Sequence, residues 1–556
     1  MQPENYFMSK APFWIFILLL VVYFTGIRVN TMDIDASQYA DISLEMSRSH
    51  DWLQVYDQGR DYLDKPPFLF WVSAASIKVF GANNLGFKFP SILFGIWAIY
   101  ATYRLAKKLY NENTARVSAL VLATCQGMFL MENDIRTDTI LMSWVVTAIW
   151  LLKEWDDSGK IKYLLGGSAA IGFGMMTKGP IALFVPAFSF VSQWVLKREW
   201  KKFLRPALLL GIVVIGILLI PMSIGLYQQF DLHPEKTVNE LKNVSGLRFF
   251  YWSQSFGRIT GESPWKNEVD ITFLLSNMLW SFLPWIFVFL PAVVINIIRL
   301  FKERFSLSGS REWLTMGGFW LSYMALGSSA YQLPHYIFVA FPLASIVVGA
   351  FLTEAYYQKQ YAVVFKVLRP ALTVVSFLVF VLAFVMCLWV FPASIFMIAL
   401  LFVGVIVWFY LVFKTEKSEK LIVVPASAMA IANIFLMNCT YPSLLNYQLG
   451  NTMGDYLKEH HIAAKELAIY KPQDAMNSIY FYSGEKQTFT EALSQVAGKK
   501  YILTMQKGYP DIAQLPDKYK VLKEGEYFKV TELTPEFLNP KTRHNVCGHY
   551  YLLEKQ

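Results

Sequence analysis

Charge is what this sequence has least of. Asp, Glu, Lys and Arg make up 16% of its 556 residues, while 55% are hydrophobic. A soluble chain carries about 25% charge and about 45–50% apolar residues. With a mean hydropathy of +0.36, that shortfall excludes a chain that is soluble throughout. Cysteine is scarce too. Cys125, Cys387 and Cys439 lie in or at the ends of apolar segments and Cys547 is near the C-terminus, so there is no disulfide framework. No GxGxxG or P-loop occurs, and nothing points to a nucleotide fold. No internal repeat of the kind that builds transporters is found. No cluster has clear metal-ligand spacing, although a divalent metal ion between acids stays open as a cofactor. The net charge of +9 is read as the topology signal of cytoplasmic Lys and Arg, not as a nucleic-acid footprint.

What is there is a series of apolar runs. A spanning helix needs about 20 mostly apolar residues. Candidates lie near 12–28, 86–104, 115–131, 138–152, 163–177, 180–196, 206–226, 271–298, 313–330, 335–353, 367–390, 394–413 and 421–440. This predicts an α-helical polytopic membrane protein with about 13 transmembrane helices, unless the break at 393–395 is a kink. The first run lacks a cleavage site and reads as an uncleaved span. With the N-terminus in the cytoplasm, alternation makes "RLAKKLYNENTAR", "KEWDDSGKIK", "KREWKKFLR", "RLFKERFSLSGSR", the 354–369 loop and "KTEKSEK" cytoplasmic. Every one is basic, as the positive-inside rule requires. The loops 29–85, 132–137, 178–179 and 227–270 then face outside, as does everything after about 441. The membrane unit is expected over 1–440. Over 441–556 the pattern changes: "ELAIY", "SIYFYSG", "KYILTM" and "YKVLKEGEYFKVTEL" read as β-rich, and "TMGDYLKEHH" and "TEALSQVAG" as short helices. That predicts a soluble α/β domain outside the membrane.

Cations on the outer face run against the topology bias. Lys65 in "DKPP", Arg136 in "NDIRTD", Lys178 in "MTKGP" and Arg258 in "SFGRITGESP" all sit near span ends. Lys178 or Arg136 alone reads equally as a side chain snorkelling to water, and Lys65 less so. Together they suit a phosphate, with lysine as a point charge and arginine as a fork. Pro66 and Pro67 restrict the backbone around Lys65. Acids share the same face. From Ala36 the chain has a helical period, with Tyr39, Ile42, Ser43 and Met46 on one stripe that suits a helix along the interface. Asp35 or Ser37 would cap that helix, and Asp138 the fourth span. The alternative is that Asp35 and Asp138 work with the cations. The cations would then hold a leaving phosphate while an acid handles the nucleophile.

"DIDASQYADISLEMSRSHDWLQVYDQGRDYLDKPPFLFW", then "FGANNLGFKFPSILFG", "RTDTILMSW", "GFGMMTKGP", "SFLPW" and "YQLPHYIFVAFPLASI" resemble, in order, the aminoarabinose transferase and protein O-mannosyltransferase group of GT-C membrane glycosyltransferases. The resemblance covers roughly residues 10–350. It implies transfer of a sugar from a polyprenyl-phosphate-linked donor to a glycolipid or protein acceptor at the outer face of a bacterial inner membrane. On that pattern Asp35 is the first acidic motif, Asp64, Lys65 and Pro66 the acid–Lys–Pro motif, and Asp138 the second loop acid. Arg258 matches the arginine before the eighth span, Lys178 the "TKG" lysine and Tyr336 the "LP-x-Y" tyrosine. Two positions depart from the pattern. Ala36 stands where a second acid is usual. Gln332 replaces a lysine, whose place His335 would partly take. The rival reading is a transporter or flippase for a lipid-linked sugar, in which ionisable groups sit near mid-membrane; here they fall at span ends.

Overall fold

A computed structural model describes residues 11–556 except 239–240, 255–256, 258–259, 261, 263–265, 268–269, 306, 308–310, 418 and 473–475. Most of the described chain is helical. Among the described residues, six helices are long and apolar enough to cross a membrane: Asn84–Leu109, Ala207–Asp231, Pro334–Glu354, Lys359–Val390, Ile395–Lys414 and Lys420–Leu445. Phe13–Arg28, Phe68–Phe80 and Ile181–Leu196 are apolar but shorter. Two expected spans are interrupted. The run 115–131 breaks at Cys125, and 271–298 forms Phe273–Ser281 and Ile286–Lys302.

The elements that matter for the site are α1 (Ala11–Thr25), α2 (Asp35–Ser49), α3 (Phe68–Phe80), α4 (Asn84–Leu109), α5 (Glu112–Thr124), α6 (Gln126–Met131), α7 (Thr137–Ser158) and α8 (Ile161–Lys178). Their ends are set locally. The Asn83 side chain accepts from Gly86 N to start α4, and Asn111 accepts from Thr114 N to start α5. Gly159, at φ +66°, ends α7 in the left-handed conformation that glycine adopts without strain. The tight turn returns α8 antiparallel against α7, and α4 packs on the other side of α7. Small residues let helices approach. A Cβ at Gly349 would lie 2.1 Å from Ser118 Oγ, and one at Gly318 would lie 2.0 Å from Ser189 Oγ.

Two short hairpins lie between the helices, β1 (Tyr56–Asp57) with β2 (Arg60–Asp61) and β3 (Thr237–Val238) with β4 (Leu241–Lys242). After residue 441 a five-stranded sheet forms from β5 (Leu467–Tyr470), β6 (Phe489–Thr490), β7 (Tyr501–Met505), β8 (Tyr519–Tyr527) and β9 (Gly548–Lys555). The order is β6-β5-β7-β9-β8. β5 is parallel to β6 and β7, and β9 is antiparallel to β7 and β8. Every residue of β5 and β7 is buried, which fits their mostly apolar sequences.

Three local expectations are corrected. "SIYFYSG" is a helix, Ser478–Ser483, closed by Gly484. Its aromatic and β-branched residues favour strands in isolation, but all of Ser478 to Tyr482 are buried in tertiary contacts that override propensity. "TEALSQVAG" keeps only a 3₁₀ turn at Leu493–Gln495, preceded by β6. The helix α2 does form from Asp35, but its apolar stripe is covered by protein. Ala36, Tyr39, Ala40, Ile42, Leu44 and Met46 are all buried, which places it between α3 and the helix Ser478–Ser483.

Candidate active site

Five structural pieces meet at one end of the helix bundle. The first turn of α2 brings Asp35, the loop between α6 and α7 brings Asp134 and Arg136, and the start of α7 brings Asp138. The last residue of α8 is Lys178, and the 3₁₀ turn Pro334–Ala340 carries His335 and Tyr336. Arg136 donates from Nη1 to Asp35 Oδ2 and from Nε to Asp134 Oδ2, the latter at 2.7 Å. Lys178 Nζ donates to Asp138 Oδ1 at 2.6 Å and lies 4.3 Å from the centre of the Tyr336 ring. His335 joins the two pairs. Its Nδ1 is 3.4 Å from Arg136 Nη1 and its Nε2 is 3.7 Å from Asp138 Oδ2.

The capping readings of both acids fail. Ile34 and Arg136 occupy the N-cap positions of α2 and α7, and neither helix has a side-chain cap. Asp35 and Asp138 instead spend an oxygen on a cation. Their exposures separate their roles: 35% of the Asp35 side chain is open, against 8% for Asp134 and 2% for Asp138. Burial works against the Arg136 charge, but Asp134 and Asp35 more than offset it and push the guanidinium above its ordinary range.

Lys65 lies just before α3, behind the buried Pro66 and Pro67. His335 lies within electrostatic reach of Lys65 as well as of Arg136 and Lys178. The Asp64 carbonyl accepts from Gln254 Nε2 at 2.8 Å, which ties the "DKPP" segment to the chain after β4. Arg258 lies outside the described residues. Asp35, Arg136, Asp138, Lys178, His335 and Tyr336 are thus brought together, with Lys65 at the edge. Among the described residues no group of three or more His, Cys, Asp or Glu is arranged to hold a metal ion.

Both departures from the family pattern have local reasons. Ala36 is fully buried, so a carboxylate there would lose its water. Gln332 points away from the site: its Nε2 donates to Gly327 O at 2.8 Å, and its N–H donates to Asn267 Oδ1 at 3.0 Å.

Lys88 and Glu132 were not singled out by sequence. Lys88 in α4 is fully buried, with Nζ 3.4 Å from Gly26 O. Glu132 is fully buried beside Gly95, where a Cβ would lie 1.7 Å from Glu132 Oε1. The available signal was an ionisable residue inside or at the end of an apolar run, which is a functional candidate by default.

Comparison with known proteins follows this geometry. The family model described as dolichyl-phosphate-mannose-protein mannosyltransferase matches residues 64–224, a segment that holds Lys65, Arg136, Asp138 and Lys178. The undecaprenyl phosphate-alpha-4-amino-4-deoxy-L-arabinose arabinosyl transferase of Erwinia tasmaniensis is 26% identical over 321 residues, 56% of this chain and 54% of the relative. That of Yersinia enterocolitica is 26% identical over 328 residues, 58% and 55% of the two chains. The chain therefore spans about half the length of the curated relatives it matches. ArnT from Cupriavidus metallidurans, solved bound to undecaprenyl phosphate, superposes with a TM-score of 0.71 at 16% identity over 92% of this chain and 96% of that one. The chain shares the fold of that protein. The Archaeoglobus fulgidus oligosaccharyltransferase is similar in fold at a TM-score of 0.52 and 12% identity, over 89% of this chain and 70% of that one.

Proposed function

We propose that this protein is an integral-membrane glycosyltransferase that moves a sugar from a polyprenyl-phosphate donor to a glycolipid or protein hydroxyl. One observation carries the reading: two acid–cation pairs, Asp35 with Arg136 and Asp138 with Lys178, are joined through His335 at one end of the bundle. The similarity to transferases named for undecaprenyl-phosphate aminoarabinose supports it. In this reading about thirteen spans cross a bacterial inner membrane, the N-terminus is cytoplasmic, and the site faces the periplasm. Residues 441–556 form a periplasmic α/β domain.

The leaving phosphate is held by Lys65 and Arg258, with Arg136, Lys178 and Tyr336 beside it. Arg136 and Lys178 are already engaged with carboxylates, so they share their donors with an incoming phosphate. An apolar groove of about 610 Å³ lies between α3, which Lys65 precedes, and α4, lined by Val72, Val79, Leu93, Phe94, Trp97 and Trp144. Phe68, three residues after Lys65, packs on Phe94 and Trp144 of that groove. The polyprenyl chain lies there, with its phosphate turned to Lys65.

The acceptor attacks the anomeric carbon directly. The acceptor oxygen forms the new bond, and the bond to the phosphate oxygen breaks with its electron pair staying on the phosphate. A hydroxyl acceptor gives its proton to Asp35, the most open of the three acids. A phosphate acceptor needs no base, and Asp35 then orients it. Purified protein incubated with a polyprenyl-phosphate-linked sugar should liberate polyprenyl phosphate, read by mass spectrometry. A donor that stays intact, alone and with envelope glycolipid or protein added, would count against the reading.

A further inference from the structure

The short segment Thr31–Asp33 runs from α1 into α2 and is held almost wholly by residues more than 400 positions later. Gln448 is buried. Its Oε1 accepts from Asp33 N at 2.8 Å, and its Nε2 donates to Thr31 O at 2.9 Å and to Asn451 Oδ1 at 2.8 Å. Asn451 Nδ2 also donates to Thr31 O, at 3.1 Å. The Tyr482 hydroxyl accepts from Thr31 N at 2.7 Å and donates to Asn84 Oδ1 at 2.7 Å. Buried backbone groups must find partners, and here one planar amide satisfies a carbonyl and an N–H two residues apart. Only a side chain with both a donor and an acceptor does this.

The segment feeds directly into the first turn of α2. Ser37 N donates to Met32 O at 3.3 Å, and Gln38 N to Ile34 O at 3.0 Å. Asp35 is two residues past the clamped Asp33. At the far end of α2, Lys486 bonds Glu45 at 2.6 Å and Arg48 bonds Gly484 O at 2.6 Å, but Lys486 and Arg48 are exposed. The buried hold is at the Asp35 end.

We propose that Gln448 is a positioning residue, which sets Asp35 against Arg136 through the Thr31–Asp33 segment. This rests on the role given to Asp35 above. It assigns the outer C-terminal region a part in the reaction: it fixes the helix that carries the acid.

The test uses the full-length protein in detergent, with Gln448→Met and Asp35→Asn made singly and together. The readouts are kcat, KM for a polyprenyl-phosphate sugar, and thermal midpoint. Gln448→Met keeps the volume and loses both hydrogen bonds to the Thr31–Asp33 segment, along with the one to Asn451. A misplacement of about 1 Å costs on the order of 100-fold, so kcat should fall by about 10- to 100-fold with KM little changed. In the Asp35→Asn background the same change should cost little more, since coupled residues are not additive. Losses that simply multiply, or wild-type kcat in a folded Gln448→Met protein, would overturn the positioning role alone. Wild-type turnover by Asp35→Asn would overturn the Asp35 reading and this inference with it. If Gln448→Met does not fold, Tyr482→Phe, which removes the partner of Thr31 N, is judged by the same criterion.

Discussion

Helix α7 has a buried aspartate at each end, and the two are used differently. At the far end Asp156, 1% exposed, gives one oxygen to Lys202 at 2.8 Å and the other to Arg205 at 2.9 Å. Both cations come from one short segment and both are permanent, so the acid is saturated. At the near end Asp138, 2% exposed, gives one oxygen to Lys178 at 2.6 Å. The other oxygen faces His335 at 3.7 Å, beyond hydrogen-bond reach. These partners come from different elements. The far end is a closed staple that fastens a loop to a helix. The near end is an acid with capacity to spare, linked through an imidazole to a second acid–cation pair. Buried charge alone does not mark a site; an incompletely satisfied network does.

The sharpest break of this comparison is Asp35→Asn. A general base contributes about 10²–10⁴-fold, so kcat should fall within that range while the thermal midpoint holds. Asp156→Asn, at the staple, should leave the kcat of the folded protein unchanged. Turnover losses of similar size in both would erase the distinction.

Next in size is the stability of the two ends. Lys178→Ala leaves Asp138 buried without its cation, and breaking a buried pair costs about 3–5 kcal/mol. Asp156→Ala frees Lys202 and Arg205, which are 19% and 32% exposed and can turn to water. Its cost should be about 1 kcal/mol, near the limit for exposed pairs. Denaturant midpoints in detergent check both, and a larger cost at Asp156 would contradict the assignment.

Lys65→Ala should lower kcat/KM for the donor by about 10- to 100-fold, the worth of a charge-assisted contact of about 1.5–3 kcal/mol. Lys65→Arg should recover only part of it, because a fork does not replace a point charge. Near-normal use of scarce donor by Lys65→Ala would make it a snorkelling lysine.

The smallest effect concerns pH. Burial raises the carboxyls of Asp41 and Asp57 above their ordinary range; the Asp57 charge adds to the rise at Asp41, and at Asp57 burial outweighs the hydrogen bond from Gln38. The folded state therefore binds more protons than the unfolded state between the ordinary and the raised values. That contribution to stability is present below the ordinary carboxylate range and is lost as pH rises through the folded values. The thermal midpoint should decline over that window, and Asp41→Asn should flatten the decline. A midpoint rising over that window, equally in Asp41→Asn and wild type, would contradict it.

The grouping of the candidate site was legible because the basic loops imply a side for each connection. Alternation put Asp35, Lys65, Arg136, Asp138, Lys178 and Tyr336 on one side, and the structure brings most of them together. What the loops do not encode is which side chain meets which. Arg136 and Lys178 read as free phosphate ligands in sequence, yet each is bonded to an acid from another part of the chain. The same limit applies to α2. Its period was plain, but partners 400 residues away decide that it is buried, and those partners include a helix whose composition favours strands. Lys88 and Glu132 escaped notice because burial depends on neighbours such as Gly95 rather than on the local run.

The most direct test asks where the donor binds. A polyprenyl-phosphate donor analogue with a photoreactive group near the phosphate should label peptides containing residues 62–71, 132–138 and 333–336. Labelling confined to the peptides around Lys202 and Arg205, or to residues 299–312, would place the lipid phosphate at the stapled end and contradict the account.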